Sequence, residues 1–360
     1  MFRRREKVFV ALSGGVDSST SAALLLEAGF DCSGVFMITS DESAIAQDSA
    51  EEVARELGIQ LYVLDLRRDF EGVLDYFCGE YKSGRTPNPC VYCNRHIKFG
   101  RLWDFARSNG ADMFATGHYA RVLRADNGVG LYEAAFAAKD QSYALAMIDR
   151  GVLGHIILPM GGYSKEQTRK MAAEFGLGTE EREESQEICF IPNDDYIRVV
   201  EKRCPELVRS GKIVDSSGRI LGEHKGVHRF TIGQRRGLRV AMGRPYYVVK
   251  IDAESNTVTL GTKEEAMSRR LIAKGVNWLI DEPKSAFRAR VKVRYNDRGK
   301  AAMVIPEGES AFVEFDEANV AITPGQLAVF YVEETDKGKE VQDGIAAKVA
   351  GGGWIEKTIY

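Results

Sequence analysis

Residues 13–19 read Ser13-Gly14-Gly15-Val16-Asp17-Ser18-Ser19. They stand between an apolar run, Val8-Phe9-Val10-Ala11-Leu12, and a small-residue helical pattern from Thr20 to Ala28. A strand, a glycine turn and a helix start, in that order, build a cradle for phosphate. Gly14 and Gly15 let the backbone bend sharply and approach an anion closely. The first amides of the following helix lack intrahelical partners, and the helix dipole is positive there. Ser13 and Ser18 add hydroxyl donors. No lysine follows the glycines, so the Walker pattern is excluded. An ordinary glycine turn before a helix is the plainer alternative; the length of the string, at the end of a first strand, argues against it.

The first 200 residues alternate short apolar runs (Val8–Leu12, Gly34–Ile38, Leu61–Leu64, Met113–Thr116) with helical spacing (Ala46, Ala50, Val53, Leu57; then Phe70, Val73, Leu74, Phe77, Tyr81). This alternation predicts α/β architecture, a parallel sheet with helices on both faces. Ligands in such sheets sit at the carboxyl ends of strands, where the serine-glycine loop falls. A further helix is expected from Ser164, with Gln167 as capping-box partner, to Gly176. Beyond residue 200 glycine turns become frequent (Ser217-Gly218, Lys225-Gly226, Arg236-Gly237, Met242-Gly243), with strands expected at Tyr246–Ile251 and Thr257–Leu260. From about 270 the pattern is all β: Phe287–Tyr295, Ala302–Ile305, Ala311–Phe315, Leu327–Val332 and Ala346–Ile355. The expected division is a catalytic α/β domain over 1–200, a small central linking domain over 201–268 and a C-terminal β-barrel over 269–360.

No apolar stretch approaches the ~18 residues a membrane helix needs. The basic start is followed by only five apolar residues before the loop, too short for a signal-peptide core, so a cytoplasmic protein is expected. The net charge of −3 hides an uneven distribution. Residues 201–245 carry a balance of +7 and residues 284–300 one of +6, which leaves −16 on the rest. Two basic segments on an acidic chain point to a polyanion held by the later part of the chain; solvated strand faces are the alternative.

Six cysteines in 360 residues do not make a secreted disulfide scaffold. The stretch from Gly84 to Asn94, Gly-Arg-Thr-Pro-Asn-Pro-Cys-Val-Tyr-Cys-Asn, is rich in turn formers and is expected to be a loop. Its Cys90-x-x-Cys93 pair can close on a metal or a cluster, or act in redox chemistry. A third cysteine, Cys189, lies in Ser185-Gln186-Glu187-Ile188-Cys189-Phe190-Ile191. Three thiols favour an iron–sulfur cluster with one open iron, or a thiol pair with a bystander. Zinc completed by His96 is the bland alternative. Cys32, Cys78 and Cys204 are read as buried small hydrophobes.

The serine-glycine string resembles the pyrophosphate loop (PP-loop) of ATP pyrophosphatases, which split ATP between the α and β phosphates. Together with Gly84–Phe99, Phe114–Arg121, Lys139–Tyr143, Ser185–Ile191, Phe230–Leu238 and Thr323–Phe330, it resembles the bacterial tRNA 2-thiouridylase family (MnmA, or TrmU) over nearly the whole chain. That family thiolates the wobble uridine of certain tRNAs. The resemblance implies that Ala11, Leu12, Ser13, Gly14, Gly15, Val16, Asp17 and Ser18 hold ATP, that Met37 lies by the adenine, and that Gly117 backs the nucleotide. It implies that Asn88, Pro89 and Cys90 line the flipped uracil. His118, Lys139, Asp140, Gln141, Arg294, Tyr295 and Gln326 would touch tRNA. Cys93 matches the family's nucleophile and Cys189 its persulfide-bearing cysteine. Many members carry Asp where this chain has Cys90; Cys-x-x-Cys with a distant third Cys resembles PP-loop thiolases that hold a [4Fe-4S] cluster on three thiolates, here Cys90, Cys93 and Cys189.

A uracil 2-carbonyl is a poor electrophile, and adenylation of its oxygen makes a leaving group that sulfur can displace. The expected cofactors are ATP, Mg²⁺ and, on the cluster route, [4Fe-4S]; the persulfide route places the sulfur on Cys189 with Cys93. The expected partners are tRNA and a sulfur donor (a cysteine desulfurase, a sulfur-relay protein or inorganic sulfide), with no membrane. The wobble base must leave its stack to reach the site. Two rival readings are a PP-loop tRNA ligase without sulfur chemistry and a non-catalytic, zinc-containing tRNA-binding protein.

Overall fold

A computed structural model describes residues 4–125, 128–179, 188–191, 193, 195–238, 240, 243–333 and 347–359. Ser185, Gln186, Glu187, Met242 and Ala346, named above, lie outside the described residues. Five parallel strands form the first sheet, in the order Gln60–Asp65, Asp31–Ile38, Lys7–Ala11, Met113–Ala115, Ile156–Ile157. The first strand is central, and the strand order reverses at it, so the serine-glycine loop leaves the sheet at its switch point.

Alternation along Lys7–Ala11 builds a core on each face. Phe9 packs with Val35, Phe70, Val73, Trp103 and Phe114 on one side. Val8 and Val10 pack with Ala22, Leu25, Phe36, Ala50 and Val53 on the other. The first helix, Val16–Glu27, is buried through Ser18, Ser19, Thr20, Ser21, Ala22 and Ala23, small residues that let it lie close to the sheet. Its hydroxyls are satisfied within the helix: Thr20 donates to the Val16 carbonyl at 2.7 Å and Ser21 to that of Asp17 at 2.8 Å. Gln47–Leu57 and Arg67–Lys82 follow the expected spacings. Lys165–Glu174 carries the expected capping box, with Ser164 accepting from the Gln167 amide.

The Gly84–Asn94 stretch is a correction. Only its first part is a loop. Pro89–Cys93 is an α-helix that runs on as a nine-residue π-helix, Asn94–Leu102, and then as Trp103–Ser108. The Asn88-Pro89 pair, read from sequence as a turn, is a helix cap: Asn88 Oδ1 accepts from the Val91 amide at 3.3 Å, and proline is preorganised for the first helical position.

A four-stranded sheet follows, in the order Tyr247–Asp252, Thr257–Gly261, Gly211–Asp215, Ile220–His224, around a core of Ile213, Val248, Val258 and Leu260. In the last part, Met267–Trp278, Ser310–Val320, Lys300–Glu307, Phe287–Lys292, Leu327–Val332 and Lys348–Ile359 pair in that order. The last strand pairs back onto the first and closes a barrel. An antiparallel hairpin, Arg121–Ala125 with Gly128–Tyr132, extends this sheet from the first part of the chain through the pair Tyr132 and Lys348. The strand at Phe287 ends at Lys292, so Arg294 and Tyr295 lie beyond it. Among the described residues, no helix is long and apolar enough to cross a membrane.

Candidate active site

Gly14 sits at φ 76°, and a Cβ there would lie 2.7 Å from that of Ser49. Glycine is therefore required both by conformation and by space. Ser18 Oγ lies 3.1 Å from the Ser13 amide and from Ser13 Oγ, and 3.0 Å from the Gly15 carbonyl, which fixes the loop's curve. Gly15 caps the first helix without a side-chain bond, and its own amide donates only a long bond, 3.4 Å, to Ser13 Oγ. Leu12 and Val16 are buried, and Ser13 is exposed at the tip. Ala11 ends the first strand, and Met37 lies near the end of its neighbour, half-buried.

Two residues that the sequence reading did not single out complete this corner. Lys165, the first residue of its helix, places Nζ 2.7 Å from Asp17 Oδ1, and its side chain is only 13% exposed. Tyr119 donates to the same oxygen at 2.6 Å. The capping box at Ser164 marked the start of the Lys165 helix, but nothing local showed that this start faces residue 17. A lysine thus stands beside the phosphate loop after all, delivered from far along the chain.

Gly117 closes against the loop. A Cβ there would lie 2.9 Å from the Asp17 carbonyl carbon and the Ser18 amide nitrogen. The next residue, His118, hydrogen-bonds Thr116 Oγ1 through Nδ1 at 2.7 Å and tilts over Phe99 at 5.9 Å. Burial, with a smaller push from Lys98, holds its pKa well below the usual imidazole value. It is a neutral ring at pH 7.

Lys98 lies on the π-helix, and its charge also reaches Cys90, Cys93 and Cys189. Cys90 and Cys93 each feel the charge of Cys189. Cys90 and Cys93 stand three residues apart on one helix, and Phe190, next to Cys189, packs against the core that holds Cys93. Cys90 and Cys189 are exposed; Cys93 is buried, and burial pushes its thiol up to about 12 against the pull of Lys98. The surrounding protein raises the other two as well. Among the described residues, no three His, Cys, Asp or Glu side chains are gathered to hold a metal ion. As placed, the trio does not fit a [4Fe-4S] cluster. Cys32, Cys78 and Cys204 are buried, as expected for small hydrophobes.

The barrel meets this site at Gln326, whose Nε2 donates to the carbonyls of Thr86 and Pro87 at 3.0 and 2.9 Å. Asn88 Nδ2 reaches Gln326 Oε1 at 3.5 Å, and Pro89 is buried. Lys139 is half-buried, Asp140 is buried, and Gln141 Oε1 accepts from the Tyr119 amide at 2.9 Å. Tyr295 is exposed and packs edge-on against Tyr143 at 6.3 Å; Arg294 is exposed beside it. Much of the positive balance of residues 284–300 is spent internally: Arg288 pairs with Asp316, Arg290 with Glu133, Lys292 with Glu133 and Asp140, and Lys300 with Glu317.

The phosphate-loop sheet with a cysteine helix beside it, followed by a small β domain and a β-barrel, defines a three-part PP-loop protein. Residues 6–193 match the family described as "tRNA methyl transferase HUP domain", 198–262 "tRNA methyl transferase PRC-barrel domain" and 268–341 "Aminomethyltransferase beta-barrel domain". The chain is 44% identical to the tRNA-specific 2-thiouridylase MnmA of Carboxydothermus hydrogenoformans, over 99% of each chain. It is 42% identical to that of Syntrophotalea carbinolica, over 99% of this chain and 100% of the relative. To that of Treponema denticola it is 43% identical, over 90% and 94%. The chain belongs to the MnmA tRNA-specific 2-thiouridylase family.

Proposed function

We propose that this protein is an ATP-dependent tRNA-uridine 2-sulfurtransferase that acts on the wobble uridine, with sulfur delivered at Cys90, Cys93 and Cys189. The observation that carries this reading is a line of packing: Gly117 abuts the phosphate loop, His118 beside it tilts over Phe99, and Phe99 lies in the core that also holds Cys93 and takes Phe190, the neighbour of Cys189. Nucleotide activation and sulfur delivery can therefore meet at one place. Residues 1–200 carry the chemistry; 201–268 and 269–360 contribute to holding tRNA.

The loop from Ala11 to Ser18 receives the phosphates of ATP, with Met37 by the adenine and Gly117 behind the nucleotide. The loop amides and Lys165 favour the charge that develops on pyrophosphate as the uracil 2-oxygen attacks the α phosphate. Mg²⁺ supplies further neutralisation of pyrophosphate when it accompanies ATP; Asp17 is the nearby carboxylate, and its Oδ1 already accepts from Lys165 and Tyr119. Asn88, Pro89 and Cys90 border the flipped base. His118, Lys139, Gln141, Arg294, Tyr295 and Gln326 line the approach of tRNA.

Sulfur then displaces AMP. A persulfide on Cys189 attacks the activated carbon, and AMP leaves with the former uracil oxygen. The Cys93 thiolate attacks the Cys189 sulfur, which releases the thiocarbonyl and leaves a Cys93–Cys189 disulfide for an external reductant. Burial of Cys93 means that this step requires the cysteine helix to move when the base enters.

The test is sulfur incorporation into tRNA with ATP, a persulfide donor and a thiol reductant. Wild-type protein is expected to form 2-thiouridine and AMP together, and Cys93→Ser and Cys189→Ser to form none. Full thiolation by either variant would refute the sulfur assignment. Full function of Cys90→Ser, Cys93→Ser and Cys189→Ser in an AMP-releasing ligation would favour the sulfur-free ligase.

A further inference from the structure

We infer that Lys292 is a positioning residue for tRNA: its buried ion pairs with Asp140 and Glu133 lock the barrel to the catalytic part, so that Lys139–Gln141 and Arg294–Tyr295 form one RNA-facing surface. For the identity of the polyanion, this rests on the thiolation reading above.

Lys292 ends the strand Phe287–Lys292 and is 7% exposed. Its Nζ lies 2.9 Å from Glu133 Oε1 and 3.1 Å from Asp140 Oδ2, over the ring of Tyr331 at 4.7 Å. Arg290, two residues earlier, pairs with the other Glu133 oxygen at 2.6 Å. Asp140 is fully engaged. Oδ1 accepts from the amides of Ala134 and Ser142 at 3.0 and 3.2 Å, and Oδ2 also accepts from the Ser142 hydroxyl at 2.9 Å. Ser142 Oγ lies 3.1 Å from the Tyr331 hydroxyl, which completes the circuit between the two parts.

Each side of this buried strut carries exposed groups suited to RNA. Two residues past Lys292 come Arg294, an exposed guanidinium suited to phosphate that also donates to the Val320 carbonyl at 3.0 Å, and Tyr295, 42% exposed and able to stack on a base. The Tyr295 ring packs edge-on against Tyr143, three residues past Asp140, with centroids 6.3 Å apart. Phe136, 41% exposed, and Lys139 precede Asp140. Asp140 itself is too buried to meet RNA, so its place between Lys139 and Gln141 is explained by the strut. A well-packed apolar pair holds two parts together at least as well as a buried ion pair, whereas an ion pair also fixes one geometry. Geometry is what a surface split between two parts of the chain needs.

The test uses full-length Lys292→Met, Asp140→Asn and the double variant, at a temperature where circular dichroism shows each folded. Binding of a substrate tRNA transcript and the thiolation KM and kcat are measured. Each single change is expected to raise the tRNA Kd and KM about tenfold, with kcat at saturating tRNA and the KM for ATP unchanged. The double is expected to lose no more than Lys292→Met alone, because that change already removes both ion pairs of Lys292. The double leaves neither Lys292 nor Asp140 charged, so it keeps the test open should a single fail to fold. Wild-type tRNA affinity and KM in the folded double variant would overturn the inference, whatever its melting temperature. Wild-type protein that binds tRNA but incorporates no sulfur would instead remove the thiolation reading and leave the binding comparison intact.

Discussion

Gln326 of the barrel holds Pro87 of the catalytic part, Nε2 to carbonyl, at 2.9 Å. The same nitrogen takes the Thr86 carbonyl at 3.0 Å, and the Thr86 amide donates to Pro324 at 3.0 Å. The segment that leads into the cysteine helix is therefore pinned from outside its own part of the chain, before any RNA is present.

It follows that Gln326 acts in the RNA-free protein. Replacing it by leucine leaves both carbonyls without their donor and should cost about 1 to 3 kcal/mol of stability. The pinned segment should also loosen, so iodoacetamide should label Cys93 faster in Gln326→Leu than in wild type without tRNA. An unchanged denaturation midpoint with unchanged labelling would show that Gln326 serves only by touching RNA.

Lys165 is expected to matter to the nucleotide half-reaction alone. It stands by the phosphate loop, 2.7 Å from Asp17, and the cation would oppose the charge developing on pyrophosphate. Lys165→Met should slow ATP–pyrophosphate exchange about a hundredfold, the usual scale for losing one preorganised charge donor. The affinity for tRNA should hold. Exchange at the wild-type rate would remove Lys165 from the chemistry.

Periodicity made the parallel sheet, its helices and the C-terminal β strands readable, because one buried face per element writes itself as spacing. The string at Ser13–Ser19 was readable because a tight turn and a helix start are local. Lys165 was not, since its meaning depends on which helix start faces Asp17. The cysteine helix was misread as a loop because Asn-Pro serves turns and helix caps alike. The resemblance placed Asp140 with the RNA contacts alongside Lys139 and Gln141; its ion pair with Lys292, 152 positions on, is not legible in the sequence. The hairpin Arg121–Tyr132 joins the barrel sheet across the chain, a pairing that no local pattern states.

His118 carries a pH signature. Its folded-state pKa lies well below the ordinary 6.5, through burial, so the unfolded chain takes up a proton first on acidification. The stabilising contribution is complete above 6.5 and is lost as pH falls towards the folded value. Urea midpoints measured from pH 8 down to 5 should fall more steeply for wild type than for His118→Gln. Equal slopes would mean that the folded protein admits the imidazolium.

Cys90 gives the sharpest division between sulfur routes, because one route needs its thiolate and the other does not. In a persulfide route Cys189 carries the sulfur and Cys93 resolves it, and Cys90 is not a required sulfur carrier. Cys90→Asp should then keep thiolation within about tenfold of wild type, the usual range for a positioned acid–base group in place of a bystander thiol being modest beside loss of the nucleophile. Cys93→Ser and Cys189→Ser should abolish it. In a cluster route all three thiolates are ligands, and Cys90→Asp should lose iron, acid-labile sulfide and activity together. Protein purified without oxygen, assayed for iron and sulfide alongside thiolation, separates the two. On the persulfide route proposed above, iron-free, active protein is the expected result. Iron and sulfide in whole-cluster amounts, lost with activity in Cys90→Asp, would mean that the thiols close together around a cluster.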